Sequence, residues 1–366
     1  MQHKISLISP EIKEILSLPN KTEQIRGIFS DFHPRDIFIL CENLEPQENA
    51  EIVMALGRPL GIEFFEEFKI KQQREIFRFF PKEWMGHILE EMAPDERADF
   101  IKALPKDRAD ELLPLVAQVE RNDIKKLIEY EEGTAGSILT TEYAFIPEDI
   151  TVKQALEKLK LQAFDRETIY SIYVTDKDRH LLGFVSLKDL FVSSAERIIK
   201  DIMRPNVISS LVTDDRELVA KKLSDYDLLA IPVVDNDNKL IGIVTVDDVV
   251  DVIVQESTED IYKYGAAGEC IDYMGSNPGF IAKHRILWLL VLVAMGFFSG
   301  MIMEQYAAQL QAVVALAFFI PLLCDSGGNA GTQSSTVVIR GLATGEIKMQ
   351  DIFKVFRKEL LTGLIV

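Results

Sequence analysis

Gly183-Phe-Val-Ser-Leu-Lys-Asp189 returns 59 residues later as Gly242-Ile-Val-Thr-Val-Asp-Asp248. Each copy follows a short apolar run that ends in aspartate, Ile172-Tyr-Val-Thr-Asp176 in the first case and Ile231-Pro-Val-Val-Asp235 in the second. Apolar runs of this length between turn residues are typical of buried strands. The repeat therefore predicts two copies of one β-α-β-β-α unit at the centre of this chain of 366 residues.

The first 130 residues show a different pattern, in which a proline is followed two positions later by a carboxylate. Proline at the first helical position removes no intrahelical hydrogen bond, and a carboxylate nearby favours the positive end of the helix dipole. The pattern predicts an all-α domain of stacked short helices, similar to a small solenoid. The five examples are Pro34-Arg-Asp36, Pro46-Gln-Glu48, Pro81-Lys-Glu83, Pro94-Asp-Glu96 and Pro105-Lys-Asp107.

The C-terminal part is apolar enough to enter a membrane. Residues 286–303 contain no charge for 18 positions, which is sufficient to cross most of a hydrocarbon layer about 30 Å thick. Lys283-His-Arg285 places the preceding end in the cytoplasm, whereas a buried soluble helix is the alternative interpretation. A second apolar segment runs from about Ala307 to Cys324, and the last residues, 360–366, resemble the start of a third crossing that is cut short.

Pro321-Leu-Leu-Cys-Asp-Ser-Gly-Gly-Asn-Ala-Gly-Thr-Gln333 is predicted to break the second apolar helix. Backbone freed by proline and glycine in a membrane must be buried in protein or line a watery cavity, so this segment indicates a pathway for a solute or ion. If helix resumes after Gly328, then Asn329, Thr332, Gln333, Thr336 and Arg340 share one face. We predict that Asn329, Gln333 and Thr336 line the pathway, with packing between membrane helices as the alternative.

These patterns predict a multidomain chain with both all-α and α/β parts. A connector with breaks at Gly265, Gly268, Gly275, Pro278 and Gly279 follows the α/β repeat. The N-terminus lacks the apolar run of a signal peptide, and the three cysteines form no CxxC motif, so a cytoplasmic, reducing location is expected for the leading part. The predicted parts are an acidic helical N-domain at 1–132, a tandem α/β pair at 133–254, a connector helix and linker at 255–282, and an incomplete α-helical transmembrane domain at 283–366.

The chain is strongly acidic, with a formal charge of -18 from 58 acidic and 40 basic residues. This excess disfavours binding to nucleic acid and favours cationic partners. Thirteen carboxylates but only four basic side chains lie between Asp214 and Asp260, and Asp248, Asp251 and Glu259 fall near one helical face with Glu256 beside it. Oxygen ligands without cysteine or clustered histidine suit Mg²⁺ or Ca²⁺ rather than zinc, and a solvated acidic helix face is the alternative.

The repeated Gly-x-x-Ser/Thr-x-x-Asp motif resembles a tandem pair of CBS domains. This resemblance implies that Ser186 with Asp189, and Thr245 with Asp248, could hold the phosphate and ribose of ATP or another adenine nucleotide. The alternative is an ordinary turn from strand to helix. No nucleophile–base pair or cofactor loop is recognisable in the sequence, which disfavours an enzyme.

The whole arrangement resembles the MgtE family of Mg²⁺ channels and transporters. The most specific elements are Gly327-Gly-Asn-Ala-Gly-Thr-Gln333 with Arg340-Gly-Leu-Ala-Thr344, and Val246-Asp-Asp-Val-Val-Asp251 leading into Ser257-Thr-Glu-Asp260. The family implies a homodimer in the cytoplasmic membrane with five membrane helices in each protomer, the last of which carries an aspartate of the selective site. A CBS sensor module that is anchored to the membrane and does not conduct is the alternative function.

By the same resemblance, Mg²⁺ is both substrate and regulator. The ion is expected to bridge the N-domain, the CBS pair and the connector helix when cytosolic Mg²⁺ is high, and to close the pore. Asp248 belongs to both the nucleotide motif and the acidic cluster, and we favour the metal role. The matching regulatory positions are Glu96, Asp99, Asp215, Glu217, Asp227, Asp248, Asp251, Glu256, Glu259 and Asp260.

Overall fold

The computed structural model describes residues 12–162, 168–265, 267–268, 273, 276–343 and 345–365. The chain divides into two compact units, Met1–Ile253 and Val254–Val366. Cys270, the predicted break at Gly275 and Thr344 of the family motif lie outside the described residues.

The N-terminal part of the first unit consists of short helices, as predicted. Their buried faces share one apolar core in which Phe77 and Phe65 contact Phe100, with ring centroids 4.8 and 6.0 Å apart. After a helical turn at 12–16, the helices are α1 (Lys21–Phe29), α2 (Pro34–Cys41), α3 (Pro46–Leu56), α4 (Leu60–Glu66), α5 (Ile70–Phe77), α6 (Lys82–Glu91), α7 (Pro94–Ala103), α8 (Lys106–Leu112) and α9 (Gln118–Glu129).

The proline pattern locates these helix starts with one difference. Pro34, Pro46 and Pro94 occupy the first helical position. Pro81 and Pro105 instead stand one residue earlier, in extended backbone immediately before α6 and α8. Both positions tolerate proline because neither requires a backbone N–H within the helix.

The α/β part contains two three-stranded sheets of the same topology. Each sheet has one parallel and one antiparallel pair, in the order β1-β2-β3 and β4-β5-β6. The elements are β1 (Tyr143–Pro147), α10 (Val152–Gln162), β2 (Thr168–Thr175), β3 (Leu181–Ser186), α11 (Leu187–Val192), β4 (Ser210–Leu211), α12 (Arg216–Asp225), β5 (Ala230–Val234), β6 (Leu240–Thr245) and α13 (Val246–Tyr264).

The register of the strands confirms the 59-residue repeat. Val174 pairs with Gly183 in the first sheet, and Val233 pairs with Gly242 at the same position of the second. Both glycines lie where another backbone segment passes closely: an added Cβ would come within 2.8 Å of the Arg204 carbonyl oxygen at Gly183, and within 2.5 Å of the Thr140 carbonyl oxygen at Gly242. The motif therefore needs glycine for close packing in both copies.

Helix α13 continues from the second sheet across the predicted boundary at 254/255 and ends at Tyr264. Gly265 and Gly268 follow the helix, as the predicted breaks require. Pro278 is the first residue of the next helix, whose N-terminus Asn277 caps by accepting a hydrogen bond from the Gly279 N–H at 2.9 Å. The prediction of a break at Gly279 is therefore wrong, because Asn277 and Pro278 start a helix there.

The second unit contains α14 (Pro278–Gln305), α15 (Ala307–Ala312), α16 (Ala315–Ala343) and α17 (Ile352–Ile365). Among the described residues, α14 is the helix long and apolar enough to cross a membrane, and none of the most apolar part of it is buried. It includes the charge-free segment 286–303. The predicted second segment, 307–324, is divided between α15 and α16 by a turn at Val313 and Val314.

The predicted break at Pro321–Gln333 is wrong. Helix α16 runs for 29 residues through Pro321 and all three glycines. Hydroxyl groups support its backbone: Thr332 Oγ1 donates to the Gly328 carbonyl oxygen at 3.0 Å, and Thr336 Oγ1 donates to the Thr332 carbonyl oxygen at 2.8 Å. Serine and threonine side chains of this kind help a helix to tolerate proline and glycine.

Candidate cation site and conduction helix

The structure brings α7 of the N-domain against the start of α13. Ala98 of α7 is buried in one apolar cluster with Val249 and Val252 of α13. This contact brings together two pairs of carboxylates at i, i+3 spacing, Glu96 and Asp99 on α7, and Asp248 and Asp251 on α13. The sequence predicted all four, and it assigned the α7 pair from family resemblance alone.

The other three carboxylates disfavour the ionisation of Glu96. The pKa of Glu96 is raised to about 7, first by loss of water around its carboxyl group and then by the charges of Asp99, Asp248 and Asp251, although the residue as a whole remains exposed. Burial also raises the pKa of Asp99 and of Asp248, against the hydrogen bond that Thr245 donates to Asp248. Like charges brought this close are stabilised by a cation between them.

No basic side chain forms a salt bridge with these four carboxylates in the part of the chain that the structure describes. Lys102 lies near enough to lower the pKa of Asp99, but its ammonium group pairs with Glu132 at 3.4 Å. The arrangement can therefore accept a hard cation through oxygen ligands alone.

Three other predicted ligands lie on the surface of the CBS pair. Asp215 caps α12 by accepting a hydrogen bond from the backbone N–H of Glu217 at 2.8 Å, and both side chains are exposed. Asp227 is exposed in left-handed backbone, with φ of 50°, after the end of α12. Asp215 therefore already has a structural role as a helix cap, and it would have to bind a metal ion in addition to this role.

Glu256, Glu259 and Asp260 lie in the second half of α13, which belongs to the second unit. Glu259 forms a salt bridge with Lys263, one helical turn later, with 2.6 Å between Oε1 and Nζ. The hydrogen bond in this pair raises the pKa of Lys263. One continuous helix therefore carries the Asp248 and Asp251 pair and this second acidic group.

Sequence analysis missed Glu66, the last residue of α4. The pKa of Glu66 is raised to about 7, mainly by burial and to a smaller extent by the nearby charge of Glu96, against the hydrogen bond that it accepts from the Ala93 N–H at 3.0 Å. Glu66 lies four positions after Ile62, a buried residue on the same helical face. A carboxylate on an apolar face was the signal that could have identified it.

Sequence analysis also missed a group in the turn between β2 and β3. Ligand atoms of Asp176, Asp178 and His180 lie within 4.8 Å of one another. Asp176 already accepts hydrogen bonds from the His180 ring at 2.8 Å and from the backbone N–H groups of Asp178 and His180, and the His180 ring bond is the main cause of its lowered pKa. These hydrogen bonds within the turn account for the proximity of the three side chains without a metal ion.

The two turns of the nucleotide motif have the same internal hydrogen bond. Ser186 Oγ donates to Asp189 Oδ2 at 2.7 Å, and Thr245 Oγ1 donates to Asp248 Oδ2 at 2.6 Å. A nucleotide would have to exchange these bonds for contacts of its own. The ordinary strand-to-helix turn that the sequence left open accounts for the geometry of both copies.

The predicted conduction residues lie on continuous helix. Asn329, Gln333 and Thr336 are exposed on α16, and the Asn329 amide donates to Asp325 Oδ2 at 3.3 Å. A Cβ added at Gly327, Gly328 or Gly331 would meet no atom within 4 Å beyond the helix's own neighbouring backbone, as judged from the described residues. This face of α16 thus presents oxygen and nitrogen atoms beside small residues.

Comparison with known proteins decides the family. Residues 32–133 match the MgtE intracellular N domain, residues 135–196 and 199–255 match the CBS domain, and residues 320–366 match the MgtE divalent cation transporter family. The chain is 36% identical over 350 residues to the magnesium transporter MgtE of Thermus thermophilus, across 94% of this chain and 78% of that protein. The chain belongs to the MgtE family.

Other members support the assignment. The magnesium transporter MgtE of Bacillus subtilis is 32% identical over 353 residues, which are 96% of this chain and 78% of that protein. The crystal structure of the soluble part of a magnesium transporter is similar with a TM-score of 0.63 and 34% identity, over 69% of this chain and 99% of that one. The crystal structure of the cytosolic domain of the Mg²⁺ channel MgtE in complex with ATP is similar with a TM-score of 0.60 and 35% identity, over 62% of this chain and 93% of that one.

Membership of the MgtE family confirms two predictions. The fold class is correct, with a helical N-domain, tandem CBS domains and a helical C-terminal region. The interpretation as a transporter rather than an enzyme is also correct, because the relatives are magnesium transporters. The chain is thus a membrane transport protein for divalent cations with CBS domains.

Proposed function

We propose that this protein is a Mg²⁺ channel or transporter of the cytoplasmic membrane, and that cytosolic Mg²⁺ bound to its own carboxylates closes it. The observation that carries the proposal is the approach of Glu96, beside Asp99 on α7, to Asp248 and Asp251 of α13 across a packed apolar contact. The names of the relatives support Mg²⁺ as substrate, and the chemistry of the ligands supports it as regulator.

The carboxylates fit a hard divalent cation. Mg²⁺ takes oxygen ligands and usually keeps several waters, so one or two carboxylates from each helix suffice. Because Asp248 and Asp251 meet Glu96 and Asp99 only while α7 packs on α13, a bound ion would stabilise the packed state over any separated one. Glu66 would hold the start of α7 by accepting the hydrogen bond of the Ala93 N–H.

Regulation then follows from differential binding. An ion that binds only the packed state raises its population, and a change from mostly open to mostly closed requires about 5.5 kcal/mol of differential binding. Several weak sites on one helix can supply this together. The proposed ligands on α13 and the CBS pair fall into three groups. They are Asp248 and Asp251 in the first half of α13, Glu256, Glu259 and Asp260 in its second half, and Asp215, Glu217 and Asp227 on the surface of the CBS pair.

We further propose that α16 contributes to the conduction pathway in a multi-pass homodimer surrounded by membrane lipid. Asn329, Gln333 and Thr336 offer neutral polar atoms, which suit an ion that dehydrates reluctantly and moves with part of its water shell. ATP binding at Ser186, Asp189 and Thr245 is a second regulatory proposal, supported by the related channel whose cytosolic domain was crystallised in complex with ATP.

Uptake tests the transport proposal. The full-length protein should restore growth at low Mg²⁺ to cells that lack other Mg²⁺ importers. Absence of rescue, with the protein present in the membrane, would contradict transport and favour a CBS sensor that is anchored to the membrane.

Protease protection tests the regulatory proposal. Mg²⁺ should protect the full-length protein, and the combined variant Asp248→Asn, Asp251→Asn, Glu256→Gln and Glu259→Gln should lose that protection. A matched control neutralises Glu23, Glu42, Asp107 and Asp110, four carboxylates of the N-domain outside the proposed site, and should keep it. Equal protection of both variants would contradict the regulatory site.

A further inference from the structure

The last residue of α13 forms hydrogen bonds to α16. The Tyr264 hydroxyl group lies 2.7 Å from Thr336 Oγ1 and 3.2 Å from the Thr332 carbonyl oxygen. Thr336 Oγ1 also lies 2.8 Å from that same carbonyl oxygen. A single proton arrangement satisfies the two shorter contacts: Tyr264 donates to Thr336 Oγ1, and Thr336 donates to the Thr332 carbonyl group.

This contact joins two helices of the second unit that are distant in sequence. Tyr264 is 40% exposed, so a hydrophobic anchor in a packed core does not explain its position. The directional part of the contact is the phenol hydroxyl group. Its partner, Thr336, belongs to the row with Asn329 and Gln333 that we propose for conduction, so the tyrosine engages one end of that row.

Helix α13 connects this contact to the carboxylates. Asp248 and Tyr264 stand in one helix without a described interruption, about 24 Å apart along its axis at 1.5 Å per residue. A helix transmits a displacement of one end to the other, since its backbone is internally hydrogen-bonded. The carboxylates of Asp248 and Asp251 and the hydroxyl group that contacts Thr336 therefore belong to the same helix.

We propose that Tyr264 is the latch of the closed state, a positioning residue that holds α13 to Thr336 of α16. The inference rests on the proposed function and adds the residue through which that regulation reaches the conduction helix. When Mg²⁺ holds the carboxylates, the hydroxyl group stays on Thr336. When Mg²⁺ leaves, α13 moves, the hydrogen bond breaks and the row of polar residues is released.

The test is Tyr264→Phe in the full-length protein, with Mg²⁺ flux measured in proteoliposomes at the internal Mg²⁺ concentration that half-closes the wild type. Loss of one net hydrogen bond changes an equilibrium by about two- to tenfold, so the open-to-closed ratio should rise by that factor. The matched control is Tyr306→Phe, which removes a hydroxyl group from an exposed tyrosine of the same unit with no hydrogen bond among the described residues. Its ratio should equal that of the wild type.

Variants of Thr336 separate a latch from a structural role. Thr336→Ser keeps a hydroxyl group and should keep the open-to-closed ratio, whereas Thr336→Val should raise the ratio as Tyr264→Phe does. The double variant Tyr264→Phe with Thr336→Val should exceed neither single variant, because both remove the same bond. Additive effects would overturn the latch, and this comparison holds even if one variant changes the conduction rate.

The outcomes distinguish the latch from the function on which it rests. If internal Mg²⁺ does not close the wild type, the proposed regulation fails. A second outcome is that Mg²⁺ closes the wild type but leaves open the variant that neutralises Asp248, Asp251, Glu256 and Glu259, which supports the regulation. If Tyr264→Phe then behaves as the wild type, only the latch is wrong. A lower open-to-closed ratio for Tyr264→Phe would also overturn it.

Discussion

The two turns of the internal repeat have the same sequence pattern and different electrostatic surroundings. In the first, Asp189 Oδ2 accepts the Ser186 hydroxyl group and lies 3.5 Å from a guanidinium nitrogen of Arg204. In the second, Asp248 accepts the Thr245 hydroxyl group but is surrounded by carboxylates, with Asp247 and Asp251 raising its pKa after burial. The motif determines the turn, and the segment packed against it determines whether the aspartate already has a counter-ion.

The largest expected effect comes from the glycines that begin the two copies of the motif, in the strands that lead into these turns. At Gly242 an added Cβ would lie 2.5 Å from both the Thr140 carbonyl oxygen and Leu139 Cδ1, and a carbonyl group cannot rotate away as a side chain can. We expect Gly242→Ala to lower the free energy of unfolding by about 3 kcal/mol, the upper part of the usual range for overpacking. Thermal unfolding of the full-length protein in detergent would measure this loss.

Two other glycines provide the controls. Gly183→Ala meets the Arg204 carbonyl oxygen at 2.8 Å and should cost less, about 1–2 kcal/mol. Gly27→Ala, on helix α1 with nothing within 4 Å, should stabilise the protein by up to about 1 kcal/mol. If Gly242→Ala were tolerated as well as Gly27→Ala, close backbone approach would not explain the motif glycine.

The aspartates of the two turns separate metal binding from turn formation. Asp248→Asn should weaken Mg²⁺ protection from protease by at least about tenfold, the lower end of the effect of removing even an outer partner of a metal site. Asp189→Asn should change Mg²⁺ protection less than about twofold, because Arg204 already neutralises Asp189. Both side chains occupy the same turn position, so loss of the turn alone predicts equal effects. Equal effects would assign Asp248 a structural role only.

The sequence predicted most of the fold because the fold depends on local patterns. The 59-residue repeat identified two equivalent β-α-β-β-α units, whose strands pair in the same register, and the proline pattern located five helix starts of the N-domain to within one position. Glu66 was missed because its environment comes from Ala93 and Glu96, more than 25 residues away in sequence. The local sequence offers only a weaker signal, a carboxylate four positions after the buried Ile62 on the same helical face.

The wrong prediction for α16 has a different cause. Glycine and proline interrupt helices in water because the exposed backbone gains hydrogen bonds with solvent, and the sequence analysis applied that preference to Pro321–Gln333. That gain is absent wherever water does not reach the backbone, and α16 continues through the segment. The hydroxyl groups of Thr332 and Thr336, which share the predicted polar face, also support the helix backbone.

The smallest expected effect concerns Glu96, which lies near the Asp248 turn. The pH dependence of stability at Glu96 tests whether the carboxylates around that turn repel one another. Its pKa of about 7 lies above the ordinary value of 4.5. Below pH 4.5 the carboxyl group is protonated in both the folded and unfolded states. Between pH 4.5 and 7 the unfolded state loses the proton while the folded state keeps it, so the folded state loses stability as pH rises, and the full penalty applies above pH 7.

We therefore expect Glu96→Gln, with divalent cations removed by chelation, to be more stable than the wild type above pH 7 by about 0.5 kcal/mol, a small value because the side chain is exposed to screening solvent. The difference should disappear near pH 4.5, and Mg²⁺ should reverse it at about pH 8 by binding the wild-type carboxylate. Thermal unfolding across this pH range would show both effects, with Glu23→Gln as a control for an isolated exposed carboxylate. A Glu96→Gln variant that is never more stable than the wild type would mean that Glu96 is not crowded by Asp248 and Asp251, and the contrast between the two turns would then lie in Arg204 alone.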